Sequence, residues 1–316
     1  MEPADIDRIL AEVGELVATR YVFAELGEKI AAQLAAAAAA GRYAAATDEA
    51  TLAELVTADL QRGNDDGHLR LIHHTEPIPE DGDEHAIAEA LYERRVQRTM
   101  SGIGRIERLD GNIGLLEISP ALFGVHLVGD EITAAMQILR YTDALILDLR
   151  GCTGSDPGSV AYFLTYLLPA ETHLNDVYDR GTDSTIQFWT LPHVPGPHYG
   201  TQRPVYVLTS HQTFSGGEEL AYDLRHTGRA TLVGETTGGG AHPRIGVRLG
   251  PHLEASIPTC RAINPITGTD WEGTGVVPHV ATAAADALTV AHEHARTRLA
   301  QARDVDRPTA EPATAP

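Results

Sequence analysis

Ser215 lies in the run from Ser210 to Pro243, SHQTFSGGEELAYDLRHTGRATLVGETTGGGAHP. The apolar, β-branched run before it, PVYVLT over residues 204–209, predicts a buried strand. After it, EELAYDLRHT over residues 218–227 places Leu220, Ala221 and Leu224 at helical spacing, and Gly228 stops the helix. A second strand is predicted at residues 230–234. Ser215 therefore sits at a strand-to-helix turn, beside Gly216 and Gly217. A hydroxyl there is exposed, and the first N–H groups of the helix have no internal acceptors. Those N–H groups and the helix dipole suit a developing oxyanion, as in a nucleophile elbow, although the sequence is not G-x-S-x-G. The same Ser-Gly-Gly also serves elsewhere as a plain helix cap and turn.

Other chemistry-bearing residues carry less. The chain has fifteen histidines. His73, His74, His242, His292 and His294 lack an HExxH pattern or a matched carboxylate, which makes surface histidines the expectation. Gly238, Gly239 and Gly240 are not followed by Lys-Ser/Thr, so they predict a flexible loop near the site, not a phosphate cradle.

These residues need elements to position them. The chain has 316 residues, 43% hydrophobic and 22% charged, enough for one large domain or a core with a smaller domain. A net charge of −20 excludes nucleic acid and anionic membrane surfaces as expected partners. Cys152 and Cys260 form no disulfide framework and fit a reducing compartment. The acidic start MEPADIDRIL lacks the pattern of a signal peptide, and no apolar run reaches membrane-span length, so a cytoplasmic protein is expected.

Apolar periodicity predicts helices over residues 6–22, 24–40 and from Asp48 to Leu60, a small helical bundle. A short strand follows at residues 67–72, then an acidic loop at 76–84 and a helix at 86–97. Two strands flank the turn Asp110-Gly111-Asn112, followed by a helix over 129–139. The buried strand ALILDL at 144–149 runs into the small-residue loop 150–155, and a helix covers 159–168. A hairpin is predicted over 244–258 and a helix over 286–302. Alternating strands and helices after about residue 105 give an α/β fold class. The expected domains are a helical bundle at 1–98 with the short strand at its exit, a core at 99–302, and a disordered tail at 303–316.

Three further segments complete a pattern: Asp66-Gly67-His68-Leu69, Asp148-Leu149-Arg150 and Trp271-Glu272-Gly273. With Ser215, and in this order, they resemble peptidase family S41, in its PDZ-free branch. That branch includes interphotoreceptor retinoid-binding protein and is related to the tricorn protease core. The resemblance implies a crotonase/ClpP-like β-β-α core preceded by a helical bundle, with the substrate cleft between them. It implies Ser215 as nucleophile, His68 as general base and Glu272 as the supporting carboxylate. The oxyanion hole would use the N–H groups of Gly216 and Gly154. No cofactor or metal is implied. Gly67 stands where the tricorn-type tetrad carries a serine, and Cys152 and Ser155 depart from the usual R-x-N-x-G-G loop. The loop TTGGGAHP contains no lysine, which excludes a Ser–Lys dyad of the family's other kind.

The implied function is a serine endopeptidase acting on a peptide or unfolded protein, with a homo-oligomer compatible. Two alternatives share the scaffold: a binding protein for an apolar ligand, and a hydrolase of small esters or amides. An unperturbed histidine base titrates at about 6.5, which places the acidic limb of kcat/KM at roughly pH 6–7.

Overall fold

A computed structural model of the chain describes residues 1–78 and 92–305. Helices α1 (Pro3–Arg20), α2 (Ala24–Ala39) and α3 (Glu49–Leu60) lead into β1 (Arg70–His73). Residues 92–98 are helical. Then follow β2 (Ile103–Leu109), β3 (Ile113–Ile118), α4 (Val125–Leu139), β4 (Ala144–Asp148), α5 (Pro157–Thr165), β5 (His173–Asp179) and β6 (Ser184–Trp189). The second half carries β7 (Val205–Thr209), α6 (Gly216–His226), β8 (Thr231–Gly234), β9 (Arg244–Arg248), β10 (Leu253–Pro258), β11 (Cys260–Ile263), β12 (Val280–Ala281) and α7 (Ala287–Val305). The acidic loop from residue 79, the first part of the 86–97 helix and the tail from 306 lie outside the described residues.

The core is a sheet of order β12-β8-β7-β4-β3-β2, parallel except for the β2–β3 pair. Every residue of β4 and β7 is buried, which is why both read as unbroken apolar runs. Successive side chains serve opposite faces. Leu145, Leu147, Val205 and Val207 join the α4, α5 and α6 side, while Ala144, Ile146, Tyr206 and Leu208 pack with Ala287, Ala291 and Ala295 of α7. The sheet is thus covered on both faces, the α/β class expected.

The N-terminal helices do not stand apart from the rest. β1 pairs antiparallel with β10, and β10 with β9, making a second sheet. Ile9, Val13 and Val17 of α1 share one apolar cluster with Leu52 and Val56 of α3 and Leu253, Ala255 and Ile257 of β10. The exit strand of the bundle is therefore completed by the last third of the chain. Asp48 caps α3 by accepting from the Thr51 N–H at 2.8 Å. A third sheet, β11-β5-β6, lies outside the sequence expectation, which named no strand at 173–179 or 260–263. Among the described residues no helix is long and apolar enough to cross a membrane.

Candidate active site

Parallel neighbours β4, β7 and β8 end on the same side of the sheet, so the loops after them meet there. Side chains and backbone stitch these loops together. Thr213 Oγ1 donates to the Leu149 carbonyl at 2.8 Å and Ser210 Oγ to the Arg150 carbonyl at 2.7 Å. The Phe214 N–H reaches the Cys152 carbonyl at 3.0 Å, and the Gly238 N–H reaches the Thr213 carbonyl at 2.9 Å.

Ser215 is the residue before α6 and adopts φ 54° and ψ −127°. This conformation favours glycine, and a residue with a Cβ held there stores roughly 1–3 kcal/mol of strain. Glu218, fully buried one turn on, holds it in place. Its carboxyl accepts the Ser215 N–H at 2.9 Å, the Gly240 N–H at 2.8 Å, the Gly239 N–H at 2.7 Å and the Thr237 hydroxyl. Burial pushes the Glu218 carboxyl up to about 7 against the pull of those four donors.

The loop after β4 lies against the turn. A Cβ on Gly216 would come within 2.5 Å of the Ser155 nitrogen, and one on Gly217 within 2.5 Å of the Cys152 carbonyl. Only glycines admit that approach. Cys152 is fully buried, with Sγ 3.3 Å from the Gly154 carbonyl, and burial pushes its thiol up to about 11. It is a neutral packing group beneath the loop. Neither the Gly216 nor the Gly154 N–H donates a hydrogen bond among the described residues.

Ser215, His68, Gly154 and Phe214 line one cleft of about 1030 Å³; Glu272 and Gly216 are not among its lining residues. His68 is 7% exposed, and its ring packs on Phe214 with centroids 4.7 Å apart. Glycines make room for that Phe214 ring. A Cβ on Gly67, Gly238 or Gly240 would come within 3.1, 2.8 or 2.2 Å of it. The glycine before His68, where the tricorn-type tetrad has serine, thus faces an aromatic ring. Burial pushes His68 down to about 4, with Arg70, His242 and Arg244 adding to the effect against Asp66. The expected limb at pH 6–7 is therefore corrected downward for the free protein, because the imidazole is desolvated.

Behind His68 lies a polar network. Asp66 is 1% exposed and accepts the His68 N–H at 3.0 Å, the Tyr21 hydroxyl at 2.9 Å and His242 Nδ1 at 2.8 Å. His242 Nδ1 also lies 3.4 Å from Glu272, and its Nε2 lies 3.9 Å from Asp270. Burial works against the His242 cation, but the Asp66 hydrogen bond and the charges of Glu272, Asp66 and Asp270 outweigh it and raise its pKa. The expectation of a surface histidine at 242 is wrong: the residue is 4% exposed, because β9 begins just after it and folds it under Phe23.

Glu272 accepts the Ala241 N–H, and Trp271 beside it donates Nε1–H to the Gly240 carbonyl at 2.8 Å. Burial, then Asp66, push the Glu272 carboxyl up to about 8. Polar atoms of Asp66, His68 and Glu272 gather within 4.8 Å of one another. Among the described residues, His68 Nδ1 and Glu272 Oε1 are buried with no partner. Asp66 is already engaged by three donors, which leaves two free donor atoms for a cation, short of a zinc set. A carboxyl and an imidazole left facing inward suit proton exchange better than metal binding. Sequence reasoning quoted the motifs that hold Asp66, Phe214 and Glu218 without giving those residues a role, and it set His242 aside as a surface residue. The pairing of Asp66 with His242 joins positions 176 apart and left no local signal.

Comparison with known proteins agrees with this architecture. The family model "Peptidase family S41" matches residues 112–282, and "N-terminal domain of Peptidase_S41 in eukaryotic IRBP" matches residues 4–99. Similar solved structures include a putative peptidase from Parabacteroides merdae, at TM-score 0.61 and 16% identity, covering 93% of this chain and 97% of that one. A lipoprotein from Streptococcus agalactiae is similar at TM-score 0.59 and 16% identity, covering 92% of this chain and 96% of that one. The tricorn protease is similar at TM-score 0.57 and 12% identity, over 95% of this chain but 37% of that one. At these identities the structures speak for the fold, while the family model spans more than half of the chain. The chain belongs to peptidase family S41.

Proposed function

We propose that this protein is a serine peptidase that cleaves peptide bonds through an acyl-enzyme on Ser215. The observation that carries the reading is the strained Ser215 turn, opening into the cleft that His68 also lines. Ser215 Oγ attacks the scissile carbonyl while His68 takes its proton, since a free serine hydroxyl is too weak an acid to ionise at neutral pH. The tetrahedral oxyanion forms beside the unengaged N–H groups of Gly216 and Gly154. His68 then returns its proton to the leaving amine, and water attacks the acyl-enzyme by the same route.

Glu272, whose buried and unpartnered Oε1 lies in one group with His68, accepts the Nδ1–H of the imidazolium that forms on His68 in each half-reaction. Asp66 fixes the His68 backbone, and His242 holds Asp66 and Glu272 side by side. The test is peptide hydrolysis by the wild type and by Ser215→Ala, with circular dichroism as the control for folding. The variant should lose at least about 10³-fold in kcat/KM with an unchanged spectrum. A Ser215→Ala protein that retained wild-type turnover would remove Ser215 from the chemistry.

A further inference from the structure

Arg70 lies two residues beyond His68 on β1 and lines the same cleft as Ser215. Arg244, at the start of β9, and Arg95 line it as well. Arg244 is held by Glu254, whose other oxygen takes His74 at 2.8 Å. Arg70 is exposed and has no ion pair among the described residues; Arg244 works against its charge and Glu254 favours it. The lining holds one carboxylate, Asp156, whose Oδ1 caps α5 through the Ser159 N–H at 2.9 Å and the Ser159 hydroxyl at 3.2 Å. A chain of net charge −20 thus sets three arginines against one carboxylate among the described residues that line its cleft. At physiological salt the screening length is about 8 Å, so the charges at the cleft, and not the net charge of the chain, set the local field.

We propose that the cleft selects a substrate segment carrying a carboxylate side chain beside the scissile bond, with Arg70 as its partner. The planar guanidinium suits a carboxylate, and Arg70, exposed at the cleft with no ion pair of its own, is open to one. The inference rests on the peptidase reading for the bond that is cut, but its binding step stands without it.

A second consequence follows for the base. The charged groups acting on His68 are Asp66, Arg70, Arg244 and His242, with the Glu272 carboxyl beside it. Arg70 and Arg244 both disfavour the imidazolium. A bound carboxylate offsets them, so an acidic substrate makes His68 a stronger base inside the complex than in the free protein. A matched amide substrate does not.

The experiment uses two ten-residue peptide pools, identical except that one fixed position is glutamate in the first and glutamine in the second. Binding is measured by calorimetry on full-length Ser215→Ala at 0.15 M NaCl, and cleavage is measured with the wild type. The glutamate pool should bind about tenfold or more tightly, and Arg70→Gln should reduce that ratio below about threefold. Arg70→Lys, which keeps the charge, should retain a preference. In cleavage, the acidic limb of kcat for the glutamate pool should lie above the limb of kcat/KM. Equal binding of the two pools, or an undiminished glutamate preference in a folded Arg70→Gln protein, overturns the inference. Preferential binding of the glutamate pool with no cleavage by the wild type would sink the peptidase reading and leave this one standing.

Discussion

Glu218 carries more of the site than any neighbour of Ser215, and it does so as an acceptor. Backbone N–H groups of Ser215, Gly239 and Gly240 and the Thr237 hydroxyl all converge on one buried carboxyl. Glu218→Gln would turn one of its two acceptor oxygens into a donor facing those donors. A buried N–H that loses its acceptor costs about 1–3 kcal/mol. The expected result is a melting temperature lower by at least about 3 °C and a kcat lower by at least tenfold, with KM moving less. An unchanged kcat in Glu218→Gln would mean that the Ser215 turn does not depend on this anchor. The sequence placed Glu218 at the opening of a helix, which is correct. It offered no way to see that the carboxyl reaches a loop 19 to 22 residues ahead. His242 is the converse case: one histidine among fifteen carries no mark of burial until β9 and Asp66 are in place.

The elements were legible where their own apolar pattern decides them. ALILD and VYVLT are buried on both faces, so the runs alone identify central strands. The strand–Ser215–helix order could be read directly because Gly228 and the Leu220/Leu224 spacing bound α6. The hairpin over 244–258 formed as β9 and β10. Strands β5 and β11 escaped because their residues, HLNDVYD and CRAI, are mixed in polarity, and β11 pairs with β5 far back in the chain. The pairing of β1 with β10 was hidden because the register partners Arg70 and Ser256 are far apart in sequence. What joins the loops after β4, β7 and β8 is parallel register, not any single motif.

For the whole molecule, the helices at the start of the chain and the sheet behind Ser215 belong to one working unit. Tyr21, at the end of α1, donates to Asp66, and Arg180 donates to the Tyr21 carbonyl. A chain beginning at Met100 would lose His68 and Asp66. It would also strip β1 from β10 and expose Leu253, Ala255 and Ile257, which are now buried. Such a chain should be inactive and should bind a hydrophobic dye strongly. Wild-type hydrolysis by it would show that His68 and the N-terminal helices are dispensable. The ordered set of motifs made the family legible across most of the chain. The cost of burial at His68, by contrast, needed Phe214 and the sheet β1-β10-β9 in space.

The most direct test of the central claim is the rate of labelling by a fluorophosphonate probe across pH 3.5–8, with the modified residue located by peptide mass mapping. The reading predicts a single adduct on Ser215, formed at a rate that rises with an apparent pKa near 4, where burial places His68, and no such limb in His68→Ala. An adduct on another residue, or a Ser215 labelling rate whose limb is unchanged in His68→Ala, would contradict it.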